Sequence, residues 1–329
     1  MRVLVTGGAG YVGSNVVSAL RDAGHSVSVI DDLSSGHPAA LSDDVEFAHG
    51  GCGDPAALEA IERPDGIMHM AAKCSVGESM SNPRAYYETN VRESLRLLDW
   101  MVDREIPWII HSSTCAVYGI PRRLPLGEDA TPRPINAYGA TKLAVDQAIS
   151  YYSGAYGLQG TRMRYFNAAG AQPDGTLGED KTPASNLIPR VLAVALDIHK
   201  DVGIFGTDHP TPDGTGVRDY VHVRDLAAAH LLAMDKLASG DAGNTYNLGT
   251  ESGSSVQEVL AAAREVTGHD IPAIAKEARE GDPALLVASR QRARDELGWE
   301  PERSDLSTIL RDAWEWHRTH PSGHRTAGS

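Results

Sequence analysis

Apolar positions in the first half of the chain fall into two alternating rhythms. Short runs rich in Val, Ile and Leu, bounded by Gly, Asp or Pro, have strand character; the stretches between them repeat apolar residues every three to four positions. Arg2–Thr6 predicts a buried strand, and Gly7–Gly13 leads from it into a helix ending near Gly24. Val27–Asp31 and Val45–His49 predict the next two strands. A short helix follows Asp54-Pro55, where proline suits a first helical turn. Gly66–Met70 predicts a fourth strand, a long helix runs from about Arg84 to Glu105, and Trp108–Ser113 predicts a fifth strand. A helix over 137–156 and a strand over Thr161–Phe166 complete the series. Six strands interleaved with helices predict an α/β fold, a doubly wound parallel sheet with right-handed crossovers.

After Asn167 the rhythm degrades. Residues 170–186 and 206–219 are rich in Gly, Pro, Asp and Thr and predict long loops, which in a compact protein tend to be functional. Helices are expected over Leu187–Ile198 and from Asp225, with a strand over Asn244–Leu248. Ser255 and Glu258 have capping-box spacing before a helix ending near Gly268. The expected division is therefore a first domain, 1–170, joined by a returning segment near 220–250, and a smaller loop-rich α/β domain, 171–329, for a substrate. From His320 onward a loose tail is expected, so the spacing of His317, His320 and His324 reads as a solvated segment rather than a metal comb.

Gly7, Gly8, Gly10 and Gly13 follow a strand and open a helix. A side chain at such positions would bar a pyrophosphate from the backbone N–H groups at the helix N-terminus. A glycine run alone is weak evidence, but here the strand before, the helix after and the second strand are all expected. Asp31 closes that second strand, where a carboxylate accepts from the adenosine ribose and repels a 2′-phosphate. The first domain thus reads as a Rossmann-type NAD site, rather than a glycine turn beside a capping aspartate.

Tyr138 and Lys142 lie four apart in the helix over 137–156 and share a face. A tyrosine is a poor base at neutral pH, and a neighbouring ammonium, with the positive nicotinamide of NAD⁺, is expected to bring its pKa down. Thr114 ends the fifth strand, where open α/β sheets bind ligands, and offers a hydroxyl to the proton path.

These motifs resemble the extended short-chain dehydrogenase/reductase superfamily. The run Asp213-Gly214-Thr215-Gly216-Val217-Arg218-Asp219-Tyr220-Val221-His222 and the stretch around Asn167 resemble, within it, the family of UDP-glucose 4-epimerases (UDP-galactose 4-epimerases). Val76-Gly77-Glu78-Ser79, Tyr138-Gly139-Ala140-Thr141-Lys142 and Leu297-Gly298-Trp299 extend the likeness over almost the whole chain. The resemblance implies Tyr138 as acid/base, Lys142 as its electrostatic partner and Thr114 as the relaying hydroxyl. It implies an NAD site lined by Gly7, Gly10, Tyr11, Val12 and Gly13. Asp31, Asp32, Leu33, Ser34, Ser35 and Gly36 continue that site, with Asp54, Pro55, Asn90 and Phe166. Met70, Ala71, Ala72, Lys73 and Cys74 supply its remaining edge. It implies that Asn167, Asn186, Leu187, Ile204 and Phe205 hold the UDP-sugar with Arg218, Arg279 and Asp282, and that Leu286 bounds the sugar pocket. A forked guanidinium suits a diphosphate better than a lysine does. The implied reaction is NAD-dependent inversion at C4 of a UDP-hexose, UDP-galactose to UDP-glucose, by a homodimer built on residues 85–104 and 139–156.

Rivals remain on the same residues. A dehydratase would want an acid beside the hydroxyl residue, where this chain has Cys115-Ala116. A UDP-N-acetylglucosamine or UDP-glucuronate 4-epimerase is an alternative substrate reading. A non-enzymatic NAD-responsive module would carry a broken tyrosine site, and here that site is intact. Cys74 and Cys115 receive no role, Cys52 is expected to be a small buried or turn residue, and His222 and Asp225 a loop residue and a helix cap.

Charge narrows the partners. Lys+Arg 30 against Asp+Glu 44 leaves −14, which opposes a broad nucleic-acid or anionic-membrane surface. With 41% hydrophobic and 22% charged residues, the 329-residue chain can fill a core and is not a disordered polyampholyte. Three cysteines without a Cys-x-x-Cys pair oppose a disulfide framework or thiolate metal site. No apolar run nears the roughly 18 residues of a membrane span. The strand-like start after Met1 lacks a signal-peptide core, and a cytoplasmic place is expected.

Overall fold

All six predicted strands are present in the computed structural model, which describes residues 1–180, 184, 186–279 and 282–324. β1 (Arg2–Thr6) runs into α1 (Tyr11–Asp22), then β2 (Ser26–Asp31), β3 (Glu46–His49), α2 (Pro55–Glu59) and β4 (Gly66–His69). Next come α3 (Val76–Ser81), α4 (Pro83–Tyr86), α5 (Glu93–Asp103), β5 (Trp108–Thr114), α6 (Ala137–Tyr156) and β6 (Gln159–Tyr165). The later part supplies β7 (Asn167–Ala169), α7 (Leu187–Ala195), β8 (Val202–Phe205), β9 (Val217–Arg218), β10 (Tyr220–His222), α8 (Val223–Ala238) and β11 (Thr245–Leu248). It ends with β12 (Ser254–Ser255), α9 (Val256–Thr267), β13 (Ala273–Lys276), β14 (Leu285–Leu286), α10 (Gln291–Leu297) and α11 (Leu306–Thr319).

The main sheet runs β11-β6-β5-β4-β1-β2-β3, and its pairs are parallel. A seventh strand therefore joins the six expected: β11 pairs with β6 from Thr245↔Arg162 to Leu248↔Tyr165. Helices cover both faces, which is why β4 and β5 are buried along their whole length instead of alternating. Val16, Leu20, Leu226 and Met234 pack on one face; Leu97, Met101, Val145 and Ile149 pack on the other.

The long helix expected from Arg84 to Glu105 is interrupted. Between α4 and α5 the turn over Tyr87–Arg92 widens to π geometry. The wide turn directs Asn90 inward, where its amide reaches the Lys73 carbonyl at 3.0 Å and the Thr141 hydroxyl at 3.1 Å. π turns of this kind often accompany functional sites.

A second core joins α7, α9 and α11 with β8 and β13 through Val191, Leu192, Val202, Val259, Leu260 and Ile309. Two corrections concern its ties to the sheet. His222 is not a loop residue: it is buried, caps α8 by accepting from Arg224 N at 3.0 Å, and faces Asp312 at 3.2 Å. Asp225 lies inside the first turn of α8 rather than capping it. There its carboxylate accepts the backbone N–H groups of Glu302 (3.1 Å) and Arg303 (3.0 Å) and the Ser304 hydroxyl. Nor is the segment after α11 loose over its described part. His320 stacks on Trp316 with ring centroids 5.3 Å apart, because the indole gives the short turn an apolar seat. Residues 325–329 lie outside the described residues. Among the described residues no helix is long and apolar enough to cross a membrane.

Asp225 generates a direct expectation. Asp225→Ala leaves three partly buried donors without their acceptor, so it should lower unfolding free energy by about 1–3 kcal/mol, read as a fall in urea midpoint at unchanged slope.

Candidate active site

Thr6, Asp31, His69 and Thr114 end parallel strands at one edge of the sheet, the edge where open α/β sheets bind ligands. The glycine loop leaves β1 there. Gly7 has φ +71°, a region L side chains rarely adopt, and a β-carbon on Gly13 would collide with the Gly7 carbonyl oxygen. Gly10 is the N-cap of α1, which has no side-chain cap and no acid in its first turn. The first N–H groups, at Tyr11 and Val12, thus meet an anion with no side chain in competition. Asp31 accepts Ala9 N at 3.0 Å and Leu33 N at 2.9 Å. A carboxylate has about four lone-pair sites, so capacity is left for ribose hydroxyls. Asp32 accepts Ser34 N at 2.9 Å, shaping the turn through Ser35, and Gly36 fits against Asp31 and Ala9. These features fit a dinucleotide.

The segment after β4 closes the other side. Met70 N donates to Thr6 O at 3.0 Å, and Ala71 lies against Gly7 so closely that a β-carbon there would meet Ala71 N at 2.6 Å. Lys73 N donates to Asn90 Oδ1 at 2.8 Å, so Asn90 holds the strip Ala72–Cys74 from behind. Two expected cofactor residues have local duties: Asp54 caps α2 by accepting Ala56 N at 2.9 Å, and Pro55 is its exposed first residue. Phe166 is buried with Cys115, Tyr118 and Leu286.

Asn136 caps α6 by accepting Gly139 N at 2.8 Å, and the helix carries Tyr138 and Lys142 onto the end of β5. Lys142 is buried and donates from Nζ to Ser112 O at 2.5 Å. Burial holds its ammonium down at about 8, against Asp146, whose negative charge pulls the other way. Burial pushes the Tyr138 phenol well above the ordinary tyrosine value and the neighbouring Cys74 adds to the rise, while a hydrogen bond with Thr114 opposes it. In the protein by itself Tyr138 is therefore a phenol, because desolvation of the phenolate outweighs the lysine one turn away.

Sequence reasoning missed the layer beneath. Asp146, one turn beyond Lys142, accepts from Arg164 Nη2 at 2.9 Å and Ser113 Oγ at 3.1 Å. Arg164 also donates to Tyr118 Oη (3.0 Å), which donates to Asn247 Oδ1 (2.7 Å) on β11. The i, i+4 spacing of Lys142 and Asp146 was the available signal.

On the substrate side, Arg218 on β9 pairs with Asp282 at 2.5 Å, and Arg279 lies 3.8 Å over the Phe205 ring. Both guanidiniums are thereby restrained. Asn167 N donates to Asp219 O at 2.9 Å. Asn186 donates to Glu179 at 2.6 Å, and Leu187 begins α7 beside it. Ile204 packs into the second core.

Residues 3–249 match the model of the NAD dependent epimerase/dehydratase family. A UDP-glucose 4-epimerase of Halalkalibacterium halodurans is 47% identical over 329 residues, covering 99% of this chain and 98% of that one. One from Corynebacterium glutamicum is 47% identical, covering 95% of each. Among solved structures, a UDP-glucose 4-epimerase superposes with TM-score 0.96 at 44% identity, covering 99% of this chain and all of that one. A Bifidobacterium longum UDP-glucose 4-epimerase in complex with NAD⁺ and UDP gives 0.92 at 36% identity, covering 98% of this chain and 100% of that one.

The depressed lysine has a measurable consequence. Between about 8 and the ordinary value of 10.5 the unfolded chain binds more protons at this site than the folded one, so its contribution to stability rises with pH across that window. Urea midpoints of the NAD-free protein and Lys142→Met, compared from pH 7.5 to 10, should converge as pH rises, because the substitution removes a cost that falls on the ammonium alone.

Proposed function

The chain belongs to the NAD dependent epimerase/dehydratase family, and on that premise we propose how its own residues divide the work. It is an NAD-dependent isomerase that inverts C4 of a UDP-hexose through a 4-keto sugar. The sugar pair is read as UDP-galactose and UDP-glucose, the second being the sugar nucleotide for which its relatives are named. The observation that carries the reading is Tyr138 and Thr114 meeting at the end of β5 with Lys142 buried beneath, at the same sheet edge as the uncapped glycine loop.

When bound, NAD⁺ supplies the hydride acceptor and donor for C4 and a positive charge at the sheet edge. Tyr138 takes the O4 proton, with the Thr114 hydroxyl between phenol and sugar, and returns it after the ketone has presented its other face. Added positive charge favours phenolate, which offsets the desolvation that keeps Tyr138 neutral in the protein alone. Lys142, fixed by the Ser112 carbonyl, keeps its charge beneath the tyrosine. Arg218 and Arg279 hold the diphosphate, so binding energy is drawn from the UDP handle while the sugar is gripped loosely enough to turn. Leu286 gives the sugar an apolar wall. The division of labour follows the proposed domains, 1–170 for NAD and 171–329 for the UDP-sugar, and a cytoplasmic place follows from the two nucleotide metabolites required.

A homodimer is part of the reading. Tyr87 and Leu95 on the α4–α5 segment and Tyr151 and Tyr156 on α6 are exposed, Tyr151 by 78%, an apolar burden that a four-helix contact between two copies would cover. Tyr151→Glu should shift the sedimentation coefficient toward a monomer; an unaltered dimer would place the contact elsewhere.

The activity test is chemical. UDP-galactose carrying deuterium at C4 should yield UDP-glucose that retains it, without external reductant. Tyr138→Phe should lower kcat at least about 10²-fold while NAD stays bound. Undiminished turnover in that variant would remove Tyr138 from the mechanism.

A further inference from the structure

The turn after α11 is built onto the cofactor half of the molecule. Trp316 seats His320 by stacking and meets the His324 ring at 5.7 Å. Beyond it, the carboxylate of Asp180, with only 8% of its side chain exposed, accepts His324 N at 2.7 Å and faces His37 Nε2 at 3.2 Å. His37 N donates to the Ala9 carbonyl of the glycine loop at 3.0 Å. One carboxylate therefore joins the C-terminal turn, the segment after β7 and the glycine loop. Two glycines show that the fit is close. A β-carbon on Gly323, at φ +70°, would collide with the Asp180 carboxylate, and one on Gly178 would enter the Trp316 ring. Tyr11, in the first turn of α1, adds a parallel link by donating to Gly170 O at 2.6 Å. Between these parts lies a cavity of only about 10 Å³, bounded by Gly10, Tyr11, Ser14, His37, Asp180 and His324.

We propose that this clasp, centred on Asp180 and locked by His320–His324, is a cofactor-retention device that slows the release of bound NAD by holding the rim of the glycine loop. The inference rests on the NAD reading above. Its chemical sense lies in a reaction that ends at the redox state in which it began. NAD that left after accepting hydride would strand a ketone, so slow release protects each turnover. None of the clasp residues reaches the end of β5, so the device acts on residence of the cofactor and not on proton transfer.

Retention and coupling test it together. Gly323→Ala and Asp180→Asn, each purified with NAD, should lose nucleotide during timed gel filtration about tenfold faster than the unaltered chain, equivalent to about 1.4 kcal/mol of differential stabilisation. With saturating NAD their kcat should match the unaltered chain. Truncation after Thr319 should do the same; should it fail to fold, the two point variants carry the test. Because coupling is reciprocal, removing NAD from the unaltered protein should speed proteolytic clipping after Thr319. Release rates equal to the unaltered chain in the folded point variants overturn the clasp, as does a parallel loss of kcat and thermal stability with unchanged release, the mark of a merely structural role. An unaltered chain that holds no NAD at all would instead bring down the cofactor reading on which the clasp stands.

Discussion

An ammonium buried at the end of the central sheet is the constraint around which this molecule is organised. Placing Lys142 against the Ser112 carbonyl costs desolvation, which is why its proton affinity falls. The charge is tolerated because Asp146 stands one turn away, and Asp146 is held there through its Oδ2, which accepts from Arg164 and Ser113. The chain of contacts continues through Tyr118 to Asn247 on β11. The edge strand that the later part of the chain returns to the sheet is thus electrostatic support for the catalytic helix as well as an extra strand.

The same low-dielectric setting explains the state of Tyr138. A phenol placed there is neutral by default, and added positive charge is what favours its ionisation. The guanidiniums proposed to grip the diphosphate are already restrained, Arg218 by Asp282 and Arg279 by Phe205. Restraint at the handle and latitude at the sugar are what a reaction needs when the intermediate must turn over between removal of hydride and its return to the opposite face.

Much of this was legible in the sequence because it depends on local rules. The glycine spacing after β1, Asp31 at the end of β2, the Tyr138–Lys142 interval and Thr114 at the end of β5 are short-range patterns, and they stand at one sheet edge as expected. The errors share a different cause. The interruption at Tyr87–Arg92 arises because Asn90 must reach Lys73 and Thr141, contacts 17 and 51 residues away. Asp225 reads as a helix cap by position, yet its acceptors' partners lie 77–79 residues downstream. The histidines of the last turn look solvated until Trp316 and Asp180 are brought beneath them.

The order of strands and helices, the acidic balance, and the residue types able to bind a dinucleotide and move a proton were readable from the chain alone, since periodicity, glycine geometry and i, i+4 spacing act within a few residues. Which charges are buried and therefore how they titrate, where the seventh strand pairs, and how the turn after α11 reaches the neighbourhood of the glycine loop came only with the fold. Those outcomes depend on desolvation and on partners far apart in the chain, and a local pattern carries neither.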